Sequence, residues 1–338
     1  MKGIFYENVH KMILRNDLPK PTIKPNEVLI KVKYCGICGS GIESYQHPGM
    51  YSPGIIIGHE FSGDLVEIGS DVKKLKEGTR VTINPQIPCN DCFWCNSGNE
   101  NMCKDLSLAY GTFTNGGMAE FINVRADRIH ELPDSVSYEE GALIEPLCVG
   151  IYAVNQSGLK VGQSAVVYGA GTIGLMTIQA LKVAGAGRIF VIEPLESKHK
   201  LALDLGADYA FLPKEWKKIN RYNERRGPDH IFDSVGIGPT IMSSINLLRR
   251  GGHITLIGMN PTPFEISNFY GYAAGNLTLR GVYGYVQDTF KTAIILLEKN
   301  LVNLKPMITK IIKLEEVEKM FEILAQPHDE IKVLVEID

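Results

Sequence analysis

The segment 166–174 restricts the possible folds of this chain more than any other feature. It reads Val166-Val167-Tyr168-Gly169-Ala170-Gly171-Thr172-Ile173-Gly174, a buried-strand pattern followed by G-x-G-x-x-G and then a helical pattern. With 34 glycines in 338 residues the glycine pattern alone occurs by chance. Its place between a strand and a helix, however, is typical of a dinucleotide-binding turn in a parallel α/β sheet. The alternative is a glycine turn in some other α/β protein.

Each residue of the turn has an expected role. Gly169 permits the tight turn, Gly171 lets the backbone approach a pyrophosphate, and Gly174 allows close packing of helix on strand. The predicted helix begins at Ile173, directly after Thr172. A pyrophosphate is expected there, because the N–H groups of a helix N-terminus and the helix dipole favour an anion.

Glu193 follows Gly174 by nineteen residues and comes at the end of the next predicted strand. Its carboxylate is expected to accept hydrogen bonds from the adenosine ribose hydroxyls and to repel a 2′-phosphate, which predicts NAD rather than NADP. Lys198 is nearby and is also counted among the cofactor residues. Because a lysine attracts phosphate, it leaves the choice between NAD and NADP open.

The chain is long enough for two domains. From about residue 150 to 280, short buried strands alternate with helical patterns, which predicts a parallel, doubly wound sheet. Residues 1 to about 150 instead predict an irregular, mostly β domain. The predicted strands are Val28–Tyr34, Ala165–Tyr168, Ile189–Ile192, His230–Asp233, Ile254–Ile257 and Lys332–Ile337, and the predicted helices are Ile173–Ala184, Lys198–Leu205, Asp288–Lys299 and a stretch near Leu314–Ala325.

Four cysteines follow one another as Cys89-x2-Cys92-x2-Cys95-x7-Cys103, within 15 residues. Four thiolates so close together can surround one Zn²⁺ ion in a closed tetrahedral site. The segment around them is rich in Asn, Gly and Pro and has little to bury, so the metal is expected to stabilise it. The alternatives are an iron–sulfur cluster or four thiols without a metal.

The other candidate ligands are dispersed along the chain. They are Cys38 in Gly36-Ile37-Cys38-Gly39-Ser40, His59 and Glu60 in Gly58-His59-Glu60-Phe61, and Glu145 in Glu145-Pro146-Leu147. A single cysteine or histidine is more often structural than a metal ligand. The order G-I-C-G-S, G-H-E, four cysteines, E-P-L and G-x-G-x-x-G nevertheless resembles that of the zinc-containing medium-chain dehydrogenase/reductase superfamily. The segment Gly116–Glu120 also resembles the family's G-G-x-A-E.

The resemblance implies a Rossmann doubly wound parallel sheet inserted in a GroES-like, mostly β catalytic domain. It implies a GroES-like domain at 1–148 with both zinc sites, an NAD-binding domain at 149–284, and a segment 285–338 that completes the catalytic domain. By analogy with relatives it also implies a homo-oligomer, with a tetramer favoured over a dimer.

The resemblance further implies two zinc ions and NAD. Cys38 and His59 are expected to bind the catalytic ion, Glu60 and Glu145 to bind or border it, and Ser40 to carry away the proton of the alcohol. Glu145, where the ethanol-type branch has cysteine, is similar to the sorbitol and threonine dehydrogenase branch. Zinc acidifies a bound hydroxyl, and the cofactor accepts a hydride. The resemblance thus implies oxidation of an alcohol, and Cys35 and Cys148 are interpreted as ordinary buried cysteines.

Two departures from the family pattern bear on the site. After Ser40 the family usually has Asp, which helps to orient a zinc ligand, and two residues later often His; this chain has Gly41 and Glu43. The route of the proton beyond Ser40 is therefore unassigned, with Glu43 or His47 as candidates.

Threonine dehydrogenases carry Gly-Arg after the last Rossmann strand, whereas this chain reads Gly281-Val282. Without an arginine, a substrate carboxylate lacks a bidentate partner, so a neutral polyol or sugar is favoured over threonine. L-threonine 3-dehydrogenase, a simple alcohol dehydrogenase and a ketone reductase remain alternatives, as does a non-catalytic, zinc-binding regulatory homologue. Lys332 lies where relatives often place a basic residue on the cofactor pyrophosphate, and a solvated lysine is the alternative.

Composition and charge exclude several classes of partner. The net charge of −3, with both signs mixed along the chain, provides no basic stripe for nucleic acid. The longest apolar stretch, 165–186, holds four glycines, Gln179 and Lys182, which disfavours a membrane span. The N-terminus lacks a secretory signal, and the seven cysteines suit metal binding in a reducing compartment, so a cytoplasmic enzyme with a small-molecule alcohol substrate is expected.

Overall fold

The computed structural model describes residues 1–49, 51–105, 109–260 and 262–337. The strands are β1 (Gly3–Asn8), β2 (Lys11–Arg15), β3 (Glu27–Gly36), β4 (Ile55–Ile56), β5 (Glu60–Ile68), β6 (Arg80–Ile83), β7 (Phe121–Arg125), β8 (Ile129–Glu131), β9 (Ser164–Tyr168), β10 (Arg188–Ile192), β11 (Tyr209–Phe211), β12 (His230–Asp233), β13 (His253–Leu256), β14 (Thr278–Gly281), β15 (Ile308–Lys313) and β16 (Lys332–Glu336).

The α-helices are α1 (Gly39–Gln46), α2 (Phe93–Asn96), α3 (Tyr138–Ala142), α4 (Ile144–Ser157), α5 (Thr172–Val183), α6 (Glu196–Asp204), α7 (Ile219–Tyr222), α8 (Gly238–Leu247), α9 (Phe269–Ala274), α10 (Gln287–Glu298) and α11 (Val317–Leu324). The 3₁₀ helices are Glu100–Met102, Ala126–Arg128, Pro213–Lys218, Lys305–Met307 and Leu314–Glu316. No helix in these described ranges is both long and apolar enough to cross a membrane.

The chain forms two compact units. The first comprises Met1–Glu145, Val286–Asn300 and the segment that starts at Leu304; the second comprises Pro146–Tyr285 and Leu301–Asn303. Each unit has its own cluster of buried apolar side chains.

The second unit is built on a parallel sheet of six strands in the order β11-β10-β9-β12-β13-β14. Numbered within the unit this is 3-2-1-4-5-6, the strand order of the Rossmann fold. Strand β9 is buried at all five positions, as expected for a strand covered on both faces of its sheet. The predicted doubly wound sheet is therefore confirmed, and its strand order reverses between β9 and β12, where such folds bind ligands.

The first unit is mostly β. Strand β3 is its centre: the half from Glu27 to Lys31 pairs with β7, the half from Tyr34 to Gly36 pairs with β16, and β5 runs along its other edge. The full order of this sheet is β15-β16-β3-β5-β6-β8. A smaller sheet, β2-β1-β4, accompanies it. Strand β16, late in the sequence, thus completes the sheet that begins with β3.

Candidate zinc and dinucleotide sites

Three backbone segments meet at the carboxyl end of β3. Gly36, the last residue of β3, pairs with Glu60 at the start of β5 and with Leu334 of β16. Cys38 follows at the N-terminus of α1, and His59 directly precedes β5. The sheet register therefore brings residues that are far apart in sequence to one place.

Cys38, His59 and Glu60 form a cluster in which one ligand atom of each residue lies within 4.8 Å of the others. His59 is 9% exposed and Glu60 is 1% exposed. Burial and the Glu60 carboxylate raise the pKa of the Cys38 thiol. A cation is the natural partner of such a set, because it holds the thiol as thiolate, and thiolate, imidazole and carboxylate are the ligands that zinc takes in proteins.

Two glycines of the predicted motifs make room for this cluster. A Cβ added at Gly36 would clash with the Glu60 carboxylate. Gly58 has φ +99°, and a Cβ there would lie 2.6 Å from the Cys35 sulfur. The first glycine of G-I-C-G-S and the glycine of G-H-E therefore have a steric reason in this structure.

Lys332 is buried beside the cluster. Its ammonium donates to Glu60 Oε2 at 2.6 Å and to the carbonyl of Ile37 at 3.0 Å, and the side chain is 2% exposed. Burial alone would lower the pKa of Lys332, but the carboxylate of Glu60 and the Cys38 thiol raise it above its usual value. The solvated-lysine alternative is therefore wrong, because the amine is buried beside Glu60. The assignment of Lys332 to the cofactor pyrophosphate stays a prediction.

Glu145 and Ser40 border the cluster. Glu145, in the first turn of α4, is 9% exposed and close enough to raise the pKa of Lys332, but it is not one of the three residues within 4.8 Å. Ser40 Oγ lies 3.1 Å from the hydroxyl of Tyr51, and that hydroxyl lies 3.3 Å from His59 Nδ1. Tyr51 could not be predicted as a site residue, because it belongs to no motif and to no periodic segment.

The four clustered cysteines converge. The sulfur–sulfur distances are 3.5 Å for Cys92–Cys95 and Cys89–Cys103, and 3.9 Å for Cys89–Cys95 and Cys92–Cys103. Sulfurs bound at about 2.3 Å from one tetrahedral zinc ion stand about 3.8 Å apart. Backbone N–H groups of Cys95 and Lys104 lower the pKa of Cys92 to about 6. The lobe therefore fits a closed zinc site, and its sulfurs are too far apart for disulfides, whose S–S bond is about 2.05 Å.

The glycine turn of the second unit has the predicted form. Gly169 follows β9 with φ +90°, and Gly171 is the N-cap of α5, which starts with Thr172 and Ile173. A Cβ at Gly174 would clash with the Gly169 carbonyl, which explains the third glycine by close packing. A Cβ at Gly171 would meet no protein atom within 4 Å. Packing within the protein therefore gives no reason for the second glycine, whereas a pyrophosphate close to the backbone does.

Glu193 and Lys198 follow β10. The Glu193 side chain accepts hydrogen bonds from the backbone N–H of Ala170 at 2.7 Å and of Leu195 at 2.9 Å, and it is 6% exposed. Its charge thus lies directly beside the glycine turn. Lys198 is half-buried in α6.

Comparison with known proteins identifies the family of this chain. Residues 24–134 match the family described as "Alcohol dehydrogenase GroES-like domain", and residues 172–299 match "Zinc-binding dehydrogenase". A relative named sorbitol dehydrogenase, from Bacillus subtilis (strain 168), is 33% identical over 99% of this chain and 97% of its own. The chain belongs to the zinc-binding dehydrogenase family. The predicted family and its GroES-like and Rossmann architecture are confirmed.

Two further members of this zinc-binding dehydrogenase family narrow the chemistry. D-xylulose reductase A of Aspergillus niger is 30% identical over 94% of this chain and 91% of its own. The crystal structure of a zinc-binding dehydrogenase from Sinorhizobium meliloti 1021 bound to NADP superimposes with a TM-score of 0.91, at 29% identity, over 99% of this chain and 98% of the other. This chain is accordingly a zinc-dependent dehydrogenase of the alcohol and polyol type that uses a nicotinamide cofactor.

Proposed function

We propose that this enzyme oxidises a secondary alcohol of a polyol, sugar or sugar alcohol, with NAD as hydride acceptor. The cluster of Cys38, His59 and Glu60 supports the proposal, because a thiol, an imidazole and a carboxylate with one ligand atom each within 4.8 Å of one another, two of them on buried residues, form a set of ligands that zinc takes in proteins. In this proposal residues 1–148 and 285–338 form the catalytic part with both zinc ions, and residues 149–284 bind the dinucleotide.

Each side chain at the cluster has its own role in the proposed reaction. Zinc, when bound, supplies Lewis acidity toward the substrate hydroxyl, and the nicotinamide supplies the hydride acceptor. Cys38 and His59 hold the ion, and Glu60 and Glu145 bind or border it. Ser40 Oγ takes up the proton of the substrate hydroxyl as it passes on its own hydroxyl proton, by a route beyond Ser40 that is unassigned. Lys332, 2.6 Å from Glu60, balances the charge of that carboxylate in the buried site.

The cofactor residues are Gly169, Gly171, Thr172, Ile173, Gly174, Glu193 and Lys198. Preference for NAD follows from the Glu193 carboxylate, which lies against the glycine turn and would repel a 2′-phosphate. The structure of the similar S. meliloti dehydrogenase bound to NADP favours NADP instead. The ratio of kcat/KM for NAD and NADP decides between them, and a ratio in favour of NADP contradicts this part of the proposal.

The substrate class rests on the relatives and on position 282. The similar proteins are named for sorbitol and D-xylulose, a sugar alcohol and a ketose. Val282 follows Gly281 at the end of β14, so the arginine that would pair with a carboxylate is missing from that position. A neutral polyol or sugar fits better than L-threonine.

One set of measurements tests the proposal. The enzyme is purified, its zinc is counted by elemental analysis, and NADH formation is followed with polyols, sugars, simple secondary alcohols and L-threonine. About two zinc ions per chain and turnover of a polyol or sugar support the proposal. One zinc ion and no turnover of any substrate would identify the non-catalytic homologue instead.

Two cysteine variants test the zinc cluster of the first unit separately from NADH binding in the second unit. Cys38→Ser is expected to abolish turnover while NADH binding, followed by fluorescence, is retained, because the glycine turn lies in the other unit. The control is Cys148→Ala, a buried cysteine of the second unit, which should keep activity and both zinc ions. Full activity in Cys38→Ser removes that residue from the site.

The proposal also includes a cytoplasmic location and a homo-oligomer, with a tetramer favoured over a dimer. The location is supported by seven cysteines of which none forms a disulfide. The oligomeric state rests on analogy and is measured by light scattering of the purified enzyme.

A further inference from the structure

Tyr51 connects two residues of the candidate zinc site. Its hydroxyl lies 3.3 Å from His59 Nδ1 and 3.1 Å from Ser40 Oγ, and the residue is 5% exposed. The ring meets His59 edge-on, at 6.3 Å between centroids and 78° between planes, and meets Tyr6 in the same way at 85°. These contacts hold the phenol in one place, with its oxygen pointing at the imidazole.

This contact decides which imidazole nitrogen faces a metal. A histidine that binds zinc through one ring nitrogen donates the N–H of the other to a nearby acceptor, which fixes its tautomer and its orientation. Nδ1 of His59 is the nitrogen beside Tyr51. Nε2 is then the nitrogen available to the ion.

The hydrogen bonds can run in one direction through the site. His59 Nδ1–H donates to the Tyr51 oxygen, and the Tyr51 hydroxyl donates to Ser40 Oγ. The Ser40 hydroxyl in turn bonds to the Cys38 sulfur, where it favours the thiolate. Both side chains that we assign to zinc are thus tied together by Tyr51 and Ser40.

Gly41 makes room for this arrangement. A Cβ added at Gly41 would stand 3.4 Å from the Tyr51 oxygen and 3.4 Å from Phe321 Cε1, which is ordinary van der Waals contact, so alanine would fit, whereas a side chain that extends further toward Tyr51 would compete with its hydroxyl for space. This is the position at which the sequence departs from the acidic residue expected to orient a zinc ligand. The phenol of Tyr51 occupies the space next to it.

We propose that Tyr51 is a positioning residue that fixes the tautomer and orientation of His59 for zinc, and that a side chain longer than that of alanine at position 41 would displace it. The inference rests on the proposed function in that His59 is a zinc ligand. It assigns no catalytic step to Tyr51 itself.

The first test is Tyr51→Phe, which keeps the ring and removes the hydroxyl. Zinc affinity of the catalytic site is measured by competition with a chelator, and the visible spectrum is recorded after cobalt substitution. Loss of such a supporting partner typically weakens metal binding by about 10–100-fold. We expect a loss in this range and a changed cobalt spectrum, while zinc in the four-cysteine lobe is retained as an internal reference.

Tyr45→Phe is the matched control. Tyr45 is 8% exposed and lies on α1, where it packs on Phe321. Removal of its hydroxyl should leave zinc affinity and the cobalt spectrum unchanged. Comparison of the two variants separates loss of a particular hydrogen bond from loss of any buried phenol.

The second test is a rescue. Gly41→Asp in the Tyr51→Phe background should recover most of the zinc affinity, whereas Gly41→Asp alone should weaken it by crowding Tyr51. A Tyr51→Phe enzyme with the zinc affinity and cobalt spectrum of the original overturns the positioning role and leaves the proposed function standing. An original enzyme that binds zinc only in its four-cysteine lobe overturns both.

Discussion

Replacement of Lys332 by Met is the perturbation whose effect the structure specifies best. The ammonium of Lys332 lies 2.6 Å from the Glu60 carboxylate, and the two side chains are 2% and 1% exposed. Met has similar length but no charge, so the change leaves a carboxylate without its cation in a site closed to water. Breaking a buried pair in this way costs about 3–5 kcal/mol, and the carbonyl of Ile37 also loses its donor.

The two tryptophans allow the first unit to be followed separately. Trp94 lies in the first unit and Trp216 in the second. In a Trp216→Phe background, urea unfolding monitored by fluorescence therefore reports on the unit that contains Lys332. Zinc is kept in excess, and its content is measured in each variant. At about 2–3 kcal/mol per molar urea, the expected loss moves the midpoint by about 1–2 M.

Two comparisons test the reasoning. Lys11→Met removes the cation of an exposed pair with Glu7 in the same unit, whose side chains are 56% and 48% exposed, and should barely move the midpoint. Glu60→Gln added to Lys332→Met removes the stranded charge and should recover at least half of the loss. If Lys332→Met matches Lys11→Met, or if Glu60→Gln brings no recovery, the buried pair does not have the energetic role inferred here.

Three further predictions concern other parts of the chain. Cys92→Ser should remove one zinc ion per chain and lower the melting temperature, with the other zinc ion retained. Elemental analysis and calorimetry measure these two effects, and retention of both ions contradicts the assignment of the four cysteines as zinc ligands. Burial lowers the pKa of His230 to about 4, whereas the unfolded ring titrates near 6.5. The unfolded state therefore binds the extra proton, so the contribution of His230 to the free energy of unfolding is complete above pH 6.5 and falls by about 3 kcal/mol as the pH drops to 4. His230→Gln should reduce the dependence of the free energy of unfolding on pH, measured by urea titration, and an unchanged dependence contradicts the prediction. Gly171→Ala should weaken NADH binding about tenfold without lowering the melting temperature. Gly174→Ala, whose Cβ meets the Gly169 carbonyl, should lower the melting temperature. Equal effects of the two changes on the melting temperature would contradict the assignment of Gly171 to cofactor binding and of Gly174 to packing.

Features decided by neighbours in sequence were predictable. The glycine turn is one, because its tight backbone and the start of α5 depend on adjacent residues, and α5 begins one residue from the predicted start. Strand β12 has the predicted bounds, and β13 is shifted by one residue. The helix predicted near 314–325 opens instead with a 3₁₀ turn, Leu314–Glu316, before α11.

Features decided by distant strand pairing were not predictable. Strands β11 and β14 were not predicted. Strand β11 has only three residues, and β14 is a largely exposed edge strand that ends in glycine. The pair of Lys332 with Glu60 was not predicted, because the burial of Lys332 depends on the pairing of β16 with β3, which no local pattern records. Tyr51 was missed for the same reason, since its partners are set by the ends of β3 and β5.

The late position of β16 has a consequence for how the enzyme matures. Lys332 and Glu60 are separated by 272 residues. At translation rates of about 5–20 residues per second, roughly 14–54 s pass between the synthesis of the two. Throughout this interval the nascent chain carries Cys38, His59 and Glu60 without the strand that shields them. Metal delivered in this interval would meet an open, exchangeable set of ligands, and the ion is enclosed only after β16 has paired with β3.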